Sequence, residues 1–88
     1  MSEIAVMLAE GFEEIEGLTV VDICRRCGIG VTTVSISDDR NVLGSHGIPV
    51  ITDTVFSEVD FDKIDMIVSI LQQRTKLLEQ HRTIGKLI

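Results

Sequence analysis

The sequence predicts an α/β domain built on a doubly wound parallel sheet, and three features of residues 3–36 carry that reading. Glu3 to Leu8 is a short, nearly continuous apolar run, the pattern of a strand buried on both faces. Between Phe12 and Cys27 the apolar spacing changes to that of a helix. Val31 to Ile36 is β-branched and strand-like. A strand, a helix and a strand in so short a span form a βαβ unit, in which the strands run parallel with a right-handed crossover.

The first strand is broken by Ala9-Glu10-Gly11. In the helix that follows, Val20, Ile23, Cys24 and Cys27 fall at i, i+3, i+4 and i+7, which predicts one stripe facing the sheet. Arg25 and Arg26 sit in the last turn, where cations complement the helix dipole, and Gly28 follows as a C-cap. After the second strand, Asp38-Asp39-Arg40-Asn41 is a polar turn. Val42-Leu43 and Ile48 to Thr52 then flank Gly44-Ser45-His46-Gly47 as the arms of a small hairpin, with Pro49 confining the second arm to an edge. Phe56 to Phe61 reads as a short turn carrying apolar plugs. Ile64 to Ser69 is the third core strand. Thr75 to Ile88 is expected to be helical, since Leu77, Leu78, His81, Ile84 and Leu87-Ile88 keep an approximate 3.6-residue spacing.

These elements imply a flavodoxin-like sheet of three core strands, Ile4–Leu8, Val31–Ile36 and Ile64–Val68, in the order 2-1-3. Such a sheet is incomplete. Its third strand is an unpaired edge, and an apolar edge invites pairing with another chain. Residues 1–88 are therefore expected to form one partial domain.

Composition narrows the function classes. A chain that is 44% hydrophobic is globular, and with Phe12, Phe56 and Phe61 as its only aromatics the core must be aliphatic. The net charge of −6, with eight scattered Lys and Arg, argues against a nucleic-acid partner. No apolar run approaches the roughly 18 residues of a membrane span, and the one around Met66 to Leu71 is interrupted by Ser69, so no membrane partner is expected. No basic segment follows Met1; a cytoplasmic location with reduced thiols is the corresponding expectation.

In an open α/β sheet, ligands bind beyond the carboxyl ends of the strands. The segment Ala9–Glu16 lies there and carries Glu10, Glu13, Glu14 and Glu16 near a helix start. Two readings stand. The carboxylates face water and favour the helix dipole, or one points into the crevice as a hydrogen-bond donor, its pKa raised by its acidic neighbours. No Gly-x-Gly-x-x-Gly follows the first strand and there is no P-loop. The third strand does not end in the Asp of a receiver domain. Cys24-Arg25-Arg26-Cys27 closes a helix rather than opening one and has no second C-x-x-C, so it reads as two small core residues and not as a redox or zinc motif. His46 is expected at a hairpin tip or interface rather than as a base, and His81 as structural; no cofactor is implied.

The run Ile4 to Glu16 (IAVMLAEGFEEIE) closely resembles the opening of the ThiJ/PfpI family of deglycase-like proteins. The similarity continues through Val21–Ile29, Val31–Ser35, Gly44–Ile48, Asp65–Val68 and Thr75–His81, and it corresponds to the N-terminal half of the family. The resemblance implies a class I glutamine amidotransferase-like, flavodoxin-like fold and cofactor-free cysteine chemistry on small carbonyl compounds (glyoxalase or deglycase activity). It also implies that Glu16 is the position whose carboxyl hydrogen-bonds the nucleophilic Cys. That Cys, at a strand-to-helix elbow, matches neither Cys24 nor Cys27. Where the family has a glycine-rich oxyanion loop, this chain has Ser69–Thr75 without a glycine. The expectation is a truncated member without catalysis of its own. The alternatives are one piece of a split enzyme, or an interaction module pairing through its sheet edge. Self-association is expected through helix 12–27, whose Asp22 and Arg26 match a dimerisation face in the family, or through the strand edge.

Overall fold

The computed structural model describes residues 3–70. Its order is β1 (Glu3–Leu8), α1 (Glu14–Arg26), β2 (Gly30–Ser35), β3 (Asn41–Leu43), β4 (Pro49–Ile51), β5 (Thr54–Val55), two 3-10 turns at Phe56–Glu58 and Phe61–Lys63, and β6 (Met66–Ile70). The apolar run of β1 places it at the centre of the sheet. It pairs in parallel with β2 from Glu3↔Gly30 to Leu8↔Ser35, and on its other side with β6 from Ile4↔Met66 to Leu8↔Ile70. The sheet order is β5-β2-β1-β6, so the three expected core strands lie parallel in the expected order.

The sheet has four strands rather than three. Thr54-Val55 is too short to show a period, and it becomes a strand only by pairing with Val34 and Ser35 of β2. The hairpin arms β3 and β4 form their own two-stranded antiparallel sheet, with Pro49 at the start of β4 opposite Leu43. The segment expected to plug the core does so in part. Phe61 packs with Val59 and Ile64 against Ala5, Met7 and Val34 on one face of the sheet, while Phe56 meets Phe61 in a tilted contact at 5.3 Å between ring centroids and remains half-exposed. The helix expected over Thr75–Ile88, with His81, and the loop beyond Ile70 lie outside the described residues.

On the other face, Ile4, Val6, Leu8, Phe12, Val21, Val31 and Val42 form the main core, and Phe12 and Leu8 are fully buried. The helix meets this core along a line different from the predicted stripe. Its buried residues are Glu14, Gly17 and Val21, with Val20 and Cys24 partly covered, whereas Ile23 is 53% exposed and Cys27 is exposed. Gly17 sets the contact: a Cβ there would stand 3.1 Å from Leu8 and 3.2 Å from Phe12, so the helix seats against the strand at the glycine and turns Ile23 and Cys27 outward. The reading of Cys27 as a core residue is thereby corrected.

The end of α1 follows the predicted cap. Gly28 takes φ 79°, its N–H donates to Arg25 O, and the Ile29 N–H donates to Cys24 O. This is the Schellman pattern, which favours glycine at the left-handed position. Arg25 then ties the helix to the sheet by donating to Val31 O and to Asp53 Oδ2, both at 3.0 Å. Asp53 Oδ2 also accepts the Thr33 N–H at 2.9 Å.

Candidate functional site

At the carboxyl end of β1 the chain leaves the sheet through Ala9–Glu13 and enters α1, and the hairpin folds against this junction. Backbone bonds fix the arrangement: Gly11 N–H donates to Leu43 O at 2.7 Å, and Ser45 N–H donates to Phe12 O at 2.8 Å. On the opposite side, Ala9 N–H donates to Ile70 O, closing the β1–β6 boundary where the crevice of an open α/β sheet lies.

Of the four glutamates, the structure buries Glu14, the first residue of α1. Its Oε2 accepts the backbone N–H of His46 at 2.8 Å and that of Ile48 at 3.3 Å, and its Oε1 lies 2.9 Å from His46 Nδ1. Gly44 makes the approach possible, since a Cβ at that position would collide with the Glu14 carboxylate. Burial alone pushes the Glu14 carboxyl upward. The hydrogen bonds from the His46 side chain, from its own backbone N–H and from those of His46 and Ile48 outweigh it and bring its pKa to about 2. The sequence reading of a raised, proton-donating carboxyl is reversed here: the buried carboxyl is an ionised acceptor.

Glu13 stands beside it, with Oε1 3.3 Å from Ser45 Oγ and Oε2 3.8 Å from His46 Nδ1. The Glu14 hydrogen bond, then the negative charges of Glu13 and Glu14, raise the His46 pKa against a smaller opposing effect of burial. His46 does sit at the hairpin tip, as expected, but it is anchored there rather than free. Glu10 accepts the Leu43 N–H at 3.3 Å. Glu16, two positions further along the first turn of α1, is exposed and makes no side-chain hydrogen bond among the described residues. The structure thus brings Glu13, Glu14, Ser45 and His46 together and leaves Glu16 on the surface beside them. Sequence reasoning named Glu14 among four candidate carboxylates but missed its contact with the hairpin; the signal was the small Gly-Ser-His-Gly tip, whose size admits a side chain from elsewhere.

Next to this cluster, Glu14, Ile15, Leu18, Thr19, Asp22 and Ile48 line an open groove of about 380 Å³. Ile15 is 73% exposed, and Leu18 and Ile48 are also uncovered. Asp22 and Arg26 pair at 3.1 Å along the same helix. Among the described residues no helix is long and apolar enough to cross a membrane.

The profile of the DJ-1/PfpI family matches residues 2–70. Protein dj-1beta of Drosophila melanogaster is 36% identical over 63 residues, which is 72% of this chain and 34% of that protein. Protein DJ-1 homolog B of Arabidopsis thaliana is 31% identical over 65 residues, 74% of this chain and 15% of that protein. Among solved structures, a mutant of a DJ-1 superfamily protein from Salmonella typhimurium superposes with a TM-score of 0.78 at 32% identity, covering 100% of this chain and 54% of that one. Oxidised Toxoplasma gondii DJ-1 gives 0.78 at 29% identity, again covering 100% and 54%. The chain spans about half the length of these two structures and about a third of the fly protein.

Proposed function

The chain belongs to the DJ-1/PfpI family, and from that premise we propose that residues 1–88 supply the N-terminal half of a cysteine-dependent site and do not turn over substrate alone. The chemistry is the one the resemblance implies: attack of a thiolate on a small carbonyl compound, of glyoxalase or deglycase type, without a cofactor. In that site Glu16 hydrogen-bonds the nucleophilic Cys, which other residues than Cys24 and Cys27 provide. The observation that supports this reading is the placement of Gly11–Glu16. The segment with the closest family resemblance leaves the carboxyl end of β1, beside β6, where a doubly wound sheet binds its ligands. Without a nucleophile and an oxyanion site little rate acceleration remains, since losing one oxyanion donor alone costs about 10²–10³ in rate.

Methylglyoxal consumption by the purified chain and by its Glu16→Ala variant tests the proposal. The expected result is no turnover above background for either. Turnover by the wild type that Glu16→Ala abolishes would overturn it.

Self-association belongs to the same reading. The uncovered Ile15, Leu18 and Ile48 line one groove, and among the described residues β6 is an edge strand on which Met66 and Ile67 are more than half exposed. Sedimentation velocity over a range of concentrations should show a dimer or larger species, with Leu18→Asp shifting it toward monomer if the helix face carries the contact. A wild-type chain that stays monomeric at every concentration would remove this part of the proposal.

A further inference from the structure

Two carboxylates converge on a single imidazole nitrogen at the start of α1. His46 Nδ1 lies 2.9 Å from Glu14 Oε1 and 3.8 Å from Glu13 Oε2, and the three donor atoms all fall within 4.8 Å of one another. One N–H satisfies one of these carboxylates and leaves the other beside a like charge. A dication satisfies both.

We propose that Glu13, Glu14 and His46 form a binding site for a divalent first-row metal ion, with Zn²⁺ as its probe; this stands on the helix–hairpin geometry and is independent of the cysteine-site reading above. Bonds of about 2.0–2.2 Å from His nitrogen and carboxylate oxygen place tetrahedral ligands roughly 3.3 Å apart, so small side-chain shifts bring the trio to coordination distance. The opposite oxygen of each carboxylate is already held. Glu14 Oε2 accepts the His46 and Ile48 amides, and Glu13 Oε1 accepts from Ser45 Oγ. Such outer contacts orient metal ligands, and Ser45 Oγ, which also lies 3.4 Å from Glu14 Oε1 and 3.1 Å from His46 Nδ1, turns away from both when the ion binds. One imidazole and two carboxylates suit a borderline or hard divalent ion rather than a soft one. Glu14 is buried, Glu13 is half-buried and the His46 side chain is 65% exposed, so water has access to complete the coordination.

Calorimetric titration of Zn²⁺ into the metal-stripped chain tests the site, using wild type, His46→Ala, Glu13→Gln and the double variant Cys24→Ser/Cys27→Ser. The expected result is one ion per chain, with affinity at least about tenfold lower in His46→Ala and in Glu13→Gln and unchanged in the cysteine double variant. Co²⁺ in place of Zn²⁺ should show no intense thiolate charge-transfer band. His46 is exposed and its backbone N–H persists in the alanine variant, while Glu13→Gln keeps the side-chain volume; either variant alone reads out the site. Absence of Zn²⁺ uptake, uptake that ignores both substitutions, or loss of uptake in the cysteine double variant would overturn the proposal.

Discussion

Glu14 is held by groups more than thirty residues away in the chain, and the fit depends on what Gly44 lacks. Gly44→Ala forces a Cβ into the Glu14 carboxylate, and overpacking of this kind costs about 1–3 kcal/mol. Urea denaturation should show a lower midpoint with an unchanged slope, and a midpoint equal to wild type would mean the carboxylate has room to move. The Glu14–His46 pair also sets a pH dependence with a definite sign. Glu14 is lowered from 4.5 to about 2, so its contribution is fully present above 4.5 and is lost as pH falls toward 2. His46 is raised from 6.5, so its contribution is fully present below 6.5 and is lost as pH rises through the raised value. Asp39 and Asp53 are lowered as well and share the acid limb, whereas His46 is raised and acts on the alkaline limb. Denaturation in the presence of a chelator should show stability declining above pH 6.5, and His46→Gln should flatten that decline. A slope unaffected by His46→Gln would break the assignment.

At the scale of elements, α1 distinguishes its two cysteines. Cys27 is exposed at the helix end and Cys24 is partly buried against the core, so timed thiol labelling should give one fast and one slow thiol, and Cys27→Ser should remove the fast phase. Two slow thiols would restore the stripe that the apolar spacing suggests. The Asp53 carboxylate joins Arg25 at the helix end to the Thr33 N–H of β2. Because both side chains of that ion pair are about half exposed, Asp53→Ala is expected to cost only about 1 kcal/mol, most of it from the orphaned backbone group, and a thermal melt measures it. What was legible in the sequence follows the same division. β1, α1 and β2 were readable because each is long enough to show a period. β5 was not, because Thr54-Val55 is a strand only by virtue of Val34 and Ser35. The helix face was displaced because Gly17 has no apolar side chain to count, yet its smallness decides where the helix touches Leu8 and Phe12. Among the glutamates, composition showed a cluster of like charges and suggested a raised pKa. The hairpin amides that lower it belong to a contact no local pattern reveals.

Across the whole molecule the sheet is organised around β1, which hydrogen-bonds to β2 on one edge and to β6 on the other. Glu3 pairs with Gly30 through a short crossover, but Ile4 meets Met66 only after the hairpin and both 3-10 turns have been traversed. Closing the longer connection costs more chain entropy, so the two edges of β1 are not filled at the same moment. The βαβ unit should gain hydrogen-exchange protection first in a pulse-labelling experiment, with β6 amides protected later; simultaneous protection of both would contradict this order. The central strand therefore has a history. For an interval during folding its β6-facing edge is open along Ile4 to Leu8, a run without a charge, and a neighbouring nascent chain can occupy it before the proper strand arrives. Refolding yield should accordingly fall as protein concentration rises, set by a race between two strands for one edge.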